Sequence, residues 1–351
     1  MASASPLTPA DPLGSTVPAI ADLLADTTRI DGFGTRPEPT LRWVVRAGGV
    51  APLPGDDTAA LWQLLAGTAR LDVGAARMLE PHLDALAILA QARDAGVIDD
   101  LPFGTTSGWG VFAAEGGDDP VRAEREADGS WHLTGTKPWC SLAAHLGHAL
   151  VTARVGDERG LFAVDLRRSD VTAHSGPWHA RGLSQVTSAP VGFAATPAVA
   201  VGDPGWYLRR PGFAWGGMGV AAVWRGAMAP IADAITARAG RADADQLAAV
   251  YAGRADAAGW AASLVLADAS RAVDAKIEGD AAKLLAARVR AVVAGAAREL
   301  LALEARALGP GPVTTDEDHA RRVADLDLYL RQDHGDRDLA RLGRRSTEVR
   351  R

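Results

Sequence analysis

Apolar residues recur at helical spacing in the first part of the chain. Leucines and alanines repeat every three or four positions from Thr58 to about Arg70 and from Val73 to Ala95, which predicts two helices that each have an apolar face. Asp57 stands immediately before the first of these segments and has the side chain of a helix N-cap. The segment from Leu41 to Gly49 has only a weak pattern, and the prolines and glycine of residues 52–57 interrupt it.

The helical spacing returns at Gly212 and continues towards the end of the chain. Three long, Ala-rich amphipathic segments run over Leu247–Val273, Ala281–Leu308 and Ala320 to about Leu342. Segments of this kind bury their Leu and Val stripes against one another in a bundle. We therefore expect a C-terminal helical bundle to which each of the three segments contributes a helix.

Between the helical regions the pattern changes to short runs of strand length. Val121–Ala127 alternates apolar and charged residues, Asp128–Gly129 is a strong two-residue hairpin signal, and Trp131–Thr134 returns. About half a dozen such runs in roughly 100 residues predict a small sandwich or barrel that is antiparallel in the main. The predicted fold class is therefore α+β and multidomain. Its parts are an N-terminal tail and helical domain (1–108), a central antiparallel β domain (109–205) and a C-terminal helical bundle (206–351).

Composition narrows the functional classes. The 351 residues carry a net charge of −6 and no basic block before the last dozen residues, so a nucleic-acid surface is not indicated. No apolar run is long enough to span a membrane and the first residues do not resemble a signal peptide, which makes the cytoplasm the expected location. Cys140 is the only cysteine; an intramolecular disulfide and a cysteine metal cluster are excluded, and no metal site is expected.

One stretch at the end of the predicted hairpin suits a planar ligand. It reads Gly-Thr-Lys-Pro-Trp-Cys-Ser over Gly135–Ser141. Positions i and i+2 of an extended segment point to one face of a sheet, so the Trp139 indole could lie against a planar ring while Ser141 reaches a polar ring atom. The alternative is an ordinary strand end with a core tryptophan and a loop serine.

This stretch resembles the acyl-CoA dehydrogenase family of flavoproteins, in which a Gly-x-Lys-x-aromatic-x-Ser/Thr segment lines the isoalloxazine. The order of helical, β and helical regions is also that of the family fold. Trp109–Glu115 resembles the family strand that contacts the flavin through its backbone, and Leu308–Gly311 resembles a turn that meets the dinucleotide of a neighbouring subunit. The resemblance implies FAD as the cofactor. The residues that it places at the FAD are Phe112, Ala113, Ala114, Trp139, Cys140 and Ser141, with Gly309 and Gly311 in the dinucleotide turn.

The sequence departs from the family where the chemistry requires a base. The resemblance implies oxidation of a small acyl substrate, CoA- or carrier-linked, in which a glutamate removes the α-proton. Arg209 occupies the first family position of that glutamate and Asp333 the second, with His334 beside it as the other candidate base. An aspartate is one methylene shorter than a glutamate, and an error of about 1 Å can cost on the order of 100-fold in rate. The chain is thus expected to be a divergent member without the usual catalytic glutamate.

Three functions follow from the resemblance and stay open. The first is a dehydrogenase that uses Asp333 as its base and passes electrons to an electron-transfer partner. The second is a monooxygenase of the same fold, which takes reduced flavin from a partner reductase and needs no such base. The third is a non-catalytic homologue that binds an acyl group, a carrier protein or a partner chain. The long apolar helix faces also predict a homodimer or a homotetramer.

Two polar residues in the N-terminal helices have a less specific interpretation. Glu80 and His82 flank Pro81, which is expected to kink or restart the helix that contains it. The favoured interpretation of Glu80 and His82 is a pair on the helix surface, and the alternative is the border of a substrate pocket.

Overall fold

The computed structural model describes residues 12–14, 16–98, 101–103 and 107–348. Helices come first, a sheet second and helices again last, which confirms the predicted fold class. The N-terminal helices are α1 (Pro18–Ala25), α2 (Pro37–Gly48), α3 (Thr58–Leu71) and α4 (Val73–Asp94). The C-terminal helices are α5 (Trp206–Arg209), α6 (Gly212–Ala239), α7 (Gln246–Asp274), α8 (Gly279–Leu308), α9 (Gly311–Thr315), α10 (Glu317–Tyr329) and α11 (Asp336–Glu348). Among these described helices, none combines the length and the apolar character that are needed to cross a membrane.

Aspartate caps fix the starts of the two long N-terminal helices. The Asp57 carboxylate accepts the Ala60 N–H at 3.0 Å, which confirms the N-cap predicted for α3. The Asp72 carboxylate accepts the Ala75 N–H at 2.8 Å in the same way at the start of α4. Helix α4 then continues through Pro81 as one element of 22 residues, so the predicted restart at this proline does not occur.

The weakly patterned segment at Leu41–Gly49 belongs to a full helix. Helix α2 starts at Pro37, where the fixed φ of proline suits the first helical position. Its buried face includes Trp43 and Val44, neither of which has any exposed surface. The pattern is weak because this face is short and is interrupted by exposed arginines, whereas the burial of one tryptophan stabilises the helix strongly.

The strands form a small closed barrel. They are β1 (Trp109–Phe112), β2 (Arg122–Arg125), β3 (Trp131–Ser141), β4 (His148–Val155), β5 (Glu158–Asp165), β6 (Val171–Ala173) and β7 (Ser188–Ala200). Strand β4 pairs with β5 along one edge and with β1 and β2 along the other, which closes the ring β4–β2–β3–β7–β5. Most pairings are antiparallel as predicted, but β1 and β2 run parallel to β4. The β2–β3 hairpin causes this, because it returns the chain to the end of the sheet at which β1 began.

Helix α4 lies between the barrel and the helical bundle. On one side Ile88 and Leu89 pack with Trp109 of β1 and Leu150 of β4 in one buried cluster. On the other side the apolar residues of α4 join a larger cluster that includes Trp224 of α6. Polar side chains on α4 are therefore placed where the sheet and the bundle meet.

The predicted helix from Ala320 to about Leu342 is broken. Helix α10 ends at Tyr329, a 3-10 turn covers Leu330–Gln332, and α11 starts only at Asp336. Asp333 between them is extended, with φ −89° and ψ 123°, and Gly335 adopts a φ of 57° that glycine takes without strain. After the break, α11 packs against α8 and forms a wall of the cavity described below.

Candidate functional site

The predicted flavin-binding stretch contains a β-bulge. In the ladder between β3 and β7 the register shifts between Lys137 and Cys140, so that Pro138 and Trp139 together stand opposite Pro190. Trp139 has a φ of 59°, which is a genuine outlier for a bulky residue. Bulges of this kind are frequent beside active sites, where they redirect a side chain.

The bulge exposes the Trp139 ring. This residue is 66% exposed, so the alternative of a core tryptophan at this position is wrong. The argument that Trp139 and Ser141 share one face of an extended strand also fails, because Trp139 is not extended. An exposed indole held by a strained backbone is nonetheless suited to stack on a planar ring.

A chain of hydrogen bonds connects Ser141 to the helices. The Ser141 and Ser188 hydroxyls are 2.7 Å apart, and Arg77 Nη2 of α4 donates to Ser141 Oγ at 3.2 Å. Arg77 Nη1 donates to Glu80 Oε2 at 3.3 Å, and the Tyr329 hydroxyl donates to the same oxygen at 3.2 Å. One guanidinium thus bridges the strand end and the interior of the helical region.

The backbone that follows β1 is anchored by a buried lysine. Phe112 ends β1 as a buried residue, and Ala113 and Ala114 follow it, both half-buried. The next residue, Glu115, has its carboxylate 3.3 Å from Lys137 Nζ, which also donates to the Thr152 carbonyl and hydroxyl. Burial lowers the pKa of Lys137, and Glu115 opposes that effect. The backbone of residues 112–114, which is predicted to contact the flavin, is therefore held in place by the Glu115–Lys137 pair at its end.

A cavity of about 540 Å³ opens between α4, α6, α8 and α11. Its lining is mixed: Glu80 and Asp84 of α4 stand one helical turn apart, while Val220 of α6, Ala291 of α8 and Leu339 of α11 provide apolar surface. A cavity of this size suits a small organic ligand, with the polar groups fixing its orientation.

The two carboxyl groups that α4 contributes to the cavity are unusually buried. The side chain of Glu80 is 14% exposed and that of Asp84 is 22% exposed. Burial raises the pKa of both, and the neighbouring guanidinium groups, Arg77 for Glu80 and Arg210 for Asp84, partly oppose this. A raised pKa brings a carboxyl group closer to the range in which it exchanges protons at neutral pH.

The helix-surface interpretation of Glu80 and His82 is therefore wrong. Glu80 lines the cavity. His82 is buried, its Nδ1 accepts the Trp109 N–H at 3.2 Å, and burial lowers its pKa to about 4. His82 is thus a neutral acceptor that attaches α4 to the first residue of β1, because only the unprotonated ring nitrogen accepts a hydrogen bond.

The two candidate bases have different surroundings. Asp333 lies in the break before α11, is buried and lines the cavity. Its Oδ2 is paired with Arg298 of α8 and also accepts the Gly335 N–H at 3.3 Å. His334 points to the surface, with a side chain that is 60% exposed and an Nδ1 atom 3.5 Å from Asp338. Of the two, only Asp333 borders the cavity.

The remaining predicted cofactor residues lie apart from the cavity lining. The Cys140 side chain is buried in the core, and burial raises the pKa of its thiol to about 12. Its thiol is therefore not available to a cofactor at the surface of the strand. Gly309 has a φ of 66° in the turn between α8 and α9, and Gly311 starts α9. A Cβ atom built on either glycine would meet no described atom within 4 Å, so this turn is open on its outer side.

No family model matches the sequence, and no curated protein matches it either. Solved structures match its fold. One of them is TdsC from Paenibacillus sp. A11-2, a dibenzothiophene monooxygenase that was solved in complex with FMN and indole. This complex superposes with a TM-score of 0.77 at 15% identity, over 93% of this chain and 96% of that chain. KijD3, solved with FMN and a dTDP-linked amino sugar, gives a TM-score of 0.74 at 17% identity over 91% of each chain. Butyryl-CoA dehydrogenase from Megasphaera elsdenii gives 0.71 at 13% identity, over 90% of this chain and 94% of that one.

The protein therefore has the acyl-CoA dehydrogenase-like fold, and the resemblance seen in the sequence is confirmed at this level. The similar structures include one enzyme named as a monooxygenase and one named as a dehydrogenase, which cover 93% and 90% of this chain.

Some residues of the site carry no signal in the sequence. Arg77 and Glu80 are an i, i+3 pair on a helix, a spacing that is common on solvated helix faces. Arg290 of α8, which also lines the cavity, is one of many arginines in an Ala-rich helix. The periodicity of α8 does place Arg290 between Ala286 and Ala294, one turn on either side, so its helix face could have been identified, but not the cavity.

Proposed function

We propose that the protein is a flavin-dependent oxidoreductase that acts on a small molecule held in the cavity. The observation that carries this proposal is the Arg77 bridge between Ser141 and Glu80. Through two hydrogen bonds it joins the strand end that is predicted to bind flavin to the cavity lining. A flavin stacked on Trp139 would supply hydride or electron transfer. The residues of the chain would fix its ring from the strand side and hold the substrate on the helix side.

Within this class we favour a monooxygenase over a dehydrogenase. A dehydrogenase needs a base at the substrate, and the family resemblance makes Asp333 the candidate. Its Oδ2 is engaged by Arg298 and by the Gly335 amide, which leaves Oδ1 alone to take a proton. A monooxygenase has no such requirement, and the similar structures that contain FMN include an enzyme named as a monooxygenase. Oxidation of an acyl thioester with Asp333 as the base stays as the second candidate.

The flavin is either FAD, as the sequence resemblance implies, or FMN. By the family resemblance, Gly309 and Gly311 of a neighbouring subunit would hold the adenosine half of FAD. FMN lacks this half and would make no contact there. The open outer side of the turn allows either.

The proposed partners follow from the same chemistry. A monooxygenase of this kind requires a reductase that delivers reduced flavin, and a dehydrogenase requires an electron acceptor. A second copy of the chain is also expected, because α7 exposes Trp260 and Leu264 one turn apart at 54% and 40%, and exposed apolar faces of this kind mark interaction surfaces.

The proposal is tested by titrating the purified protein with FMN and with FAD, followed by absorption and fluorescence. We expect saturable binding of at least one flavin. The reaction is then assigned by two assays: anaerobic mixing with a panel of acyl-CoA thioesters, and mixing of chemically reduced flavin with oxygen and candidate substrates. Bleaching of the flavin by a thioester supports the dehydrogenase, and oxygen-dependent product formation supports the monooxygenase. The absence of binding for both flavins contradicts the proposal and leaves the non-catalytic homologue.

A further inference from the structure

The cavity carries more positive than negative side chains. Six cationic residues line it, together with the four acids Glu80, Asp84, Asp333 and Asp338. Four of the cations have a carboxylate within 4 Å. These pairs are Arg210 with Asp84, Lys283 with Asp280, Arg298 with Asp333 and Arg341 with Asp338. In the described part of the chain, Arg290 and Arg345 are the two lining cations that have no carboxylate at this distance.

Arg290 is held in place by groups that do not cancel its charge. Its Nη1 donates to the Gly217 carbonyl at 3.0 Å and its Nη2 to the Gln332 carbonyl at 3.2 Å. The guanidinium also lies over the Trp224 ring, 4.7 Å from the ring centroid. A guanidinium has five N–H groups, so three remain for a ligand. Because these contacts fix its orientation, little further ordering is needed when an anion binds.

Apolar side chains that face this cavity would cover the rest of a ligand. Leu208, Phe213 and Leu339 are exposed by 37%, 42% and 50%, and all three line the cavity. Covering such surface contributes about 25 cal/mol per Å². The ligand that satisfies both features has an apolar or aromatic body and one anionic end.

We propose that the substrate is a small carboxylic acid with an apolar or aromatic body, and that Arg290 binds its carboxylate. The inference rests on the proposed function, since it names the substrate class of the same cavity. A planar guanidinium matches a carboxylate through paired hydrogen bonds. Glu80, Asp333 and Asp338, which act on Arg290 electrostatically, would repel a dianionic phosphate more strongly than a monoanion. Arg290 is thus a specificity-determining residue that positions the substrate and takes no part in the bond changes.

The surroundings of Arg290 strengthen its interaction with an anion. Burial is the largest influence on this guanidinium and lowers its pKa, although it stays charged at neutral pH. Charges in such a partly desolvated site interact more strongly than they do in water. A neutral amide of the same shape keeps the apolar contacts but loses this attraction. The difference in affinity between an acid and its amide therefore measures the attraction of the cavity for a negative charge, and the loss of that difference on substitution of Arg290 isolates the contribution of this residue.

The test uses 4-phenylbutyrate and 4-phenylbutyramide, which differ only in the charged group, and measures their binding to the full chain by isothermal titration calorimetry. We expect the acid to bind at least about tenfold more tightly, which corresponds to roughly 1.4 kcal/mol. Arg290→Gln should abolish the preference. Arg345→Gln is the matched control, because it removes another unpaired cation from the same cavity and should keep the preference. Arg290→Lys keeps the charge but loses the planar, paired N–H donors of the guanidinium, and should bind the acid with an intermediate affinity.

Several results would overturn the proposal. These are equal affinities for the acid and the amide, no saturable binding of the acid up to about 10 mM, an unchanged preference in Arg290→Gln, or an equal loss in Arg345→Gln. If Arg290→Gln does not fold, as judged by its circular dichroism, Arg290→Lys decides the matter, and an affinity equal to that of the parent refutes the assignment. Flavin binding is measured in a separate titration. If the protein binds the acid but neither flavin, the proposal of an oxidoreductase is refuted and the acid-binding site is not.

Discussion

The exposed indole of Trp139 provides the most direct test of the flavin site. Trp139→Ala removes the ring while leaving Arg77, Ser141 and the anchored backbone after β1 in place. An aromatic side chain buries about 150–250 Å² when fully covered, and Trp139 is 66% exposed. A flavin on one face would cover roughly half of that exposed area, about 70 Å², and so contribute about 1.7 kcal/mol.

Stacking adds about 0.5–1.5 kcal/mol to this burial term. The sum of about 2–3 kcal/mol predicts that the dissociation constant for flavin is about 30 to 150 times larger in Trp139→Ala than in the parent. The measurement is a fluorescence titration with FMN and FAD, in which the flavin signal reports the bound fraction. Trp139→Phe should recover most of the affinity, because a smaller ring can still stack.

A third variant separates binding from folding. A left-handed conformation costs an L-residue roughly 1–2 kcal/mol, whereas glycine adopts it freely but loses about 0.5–1 kcal/mol in backbone entropy. Compared with Trp139→Ala, which also lacks the ring, Trp139→Gly should therefore unfold in urea with an unchanged free energy or one up to about 1.5 kcal/mol higher, while the two variants bind flavin equally weakly. Equal flavin affinity in the parent and in Trp139→Ala would refute the stacking argument, whatever the stability of the glycine variant.

Three further predictions concern other parts of the molecule. The pKa of His82 is about 4 in the folded protein and 6.5 when unperturbed, so between these pH values the unfolded state binds one proton more than the folded state. The free energy of unfolding of the parent should therefore fall by about 3 kcal/mol as the pH is lowered from 6.5 to 4. His82→Asn should lose much less in urea denaturation at the two pH values, and equal losses would contradict this. Asp333→Asn should reduce thioester-driven flavin reduction by about 100-fold or more in a dehydrogenase and leave oxygenation nearly unchanged in a monooxygenase. Trp260→Asp should lower the mass seen by light scattering if α7 forms an interface, and a monomeric parent would contradict that interface.

Local sequence signals were sufficient for most of the fold. The cap at Asp57, the Asp128–Gly129 turn and the long Ala-rich segments each depend on neighbouring residues, and each is found in the structure. Helix α2 was less visible because much of its stability comes from the burial of Trp43 against distant residues. Tertiary packing of this kind overrides a weak local pattern.

The site was predicted less completely because its geometry depends on interruptions of regular structure. The motif at Gly135–Ser141 located the strand end, but strict alternation gave the wrong orientation for Trp139, since a bulge shifts the register by one residue. Arg77 and Arg290 acquire their roles only when α4, α6 and α8 come together. Neither their residue type nor their spacing distinguishes them from solvated arginines on a helix.

The break at Asp333 explains why the cavity has a closed side. A continuous helix from Ala320 to Leu342 would extend about 35 Å in one direction and would leave the cavity-lining face of α8 uncovered. The chain turns instead at Asp333 and Gly335, and the Asp333–Arg298 pair ties this turn to α8. Helix α11 then brings Leu339 to the cavity. The aspartate that the family resemblance suggests as a base thus also stabilises the local structure, and loss of activity on its substitution is informative only when the cavity is shown to remain intact.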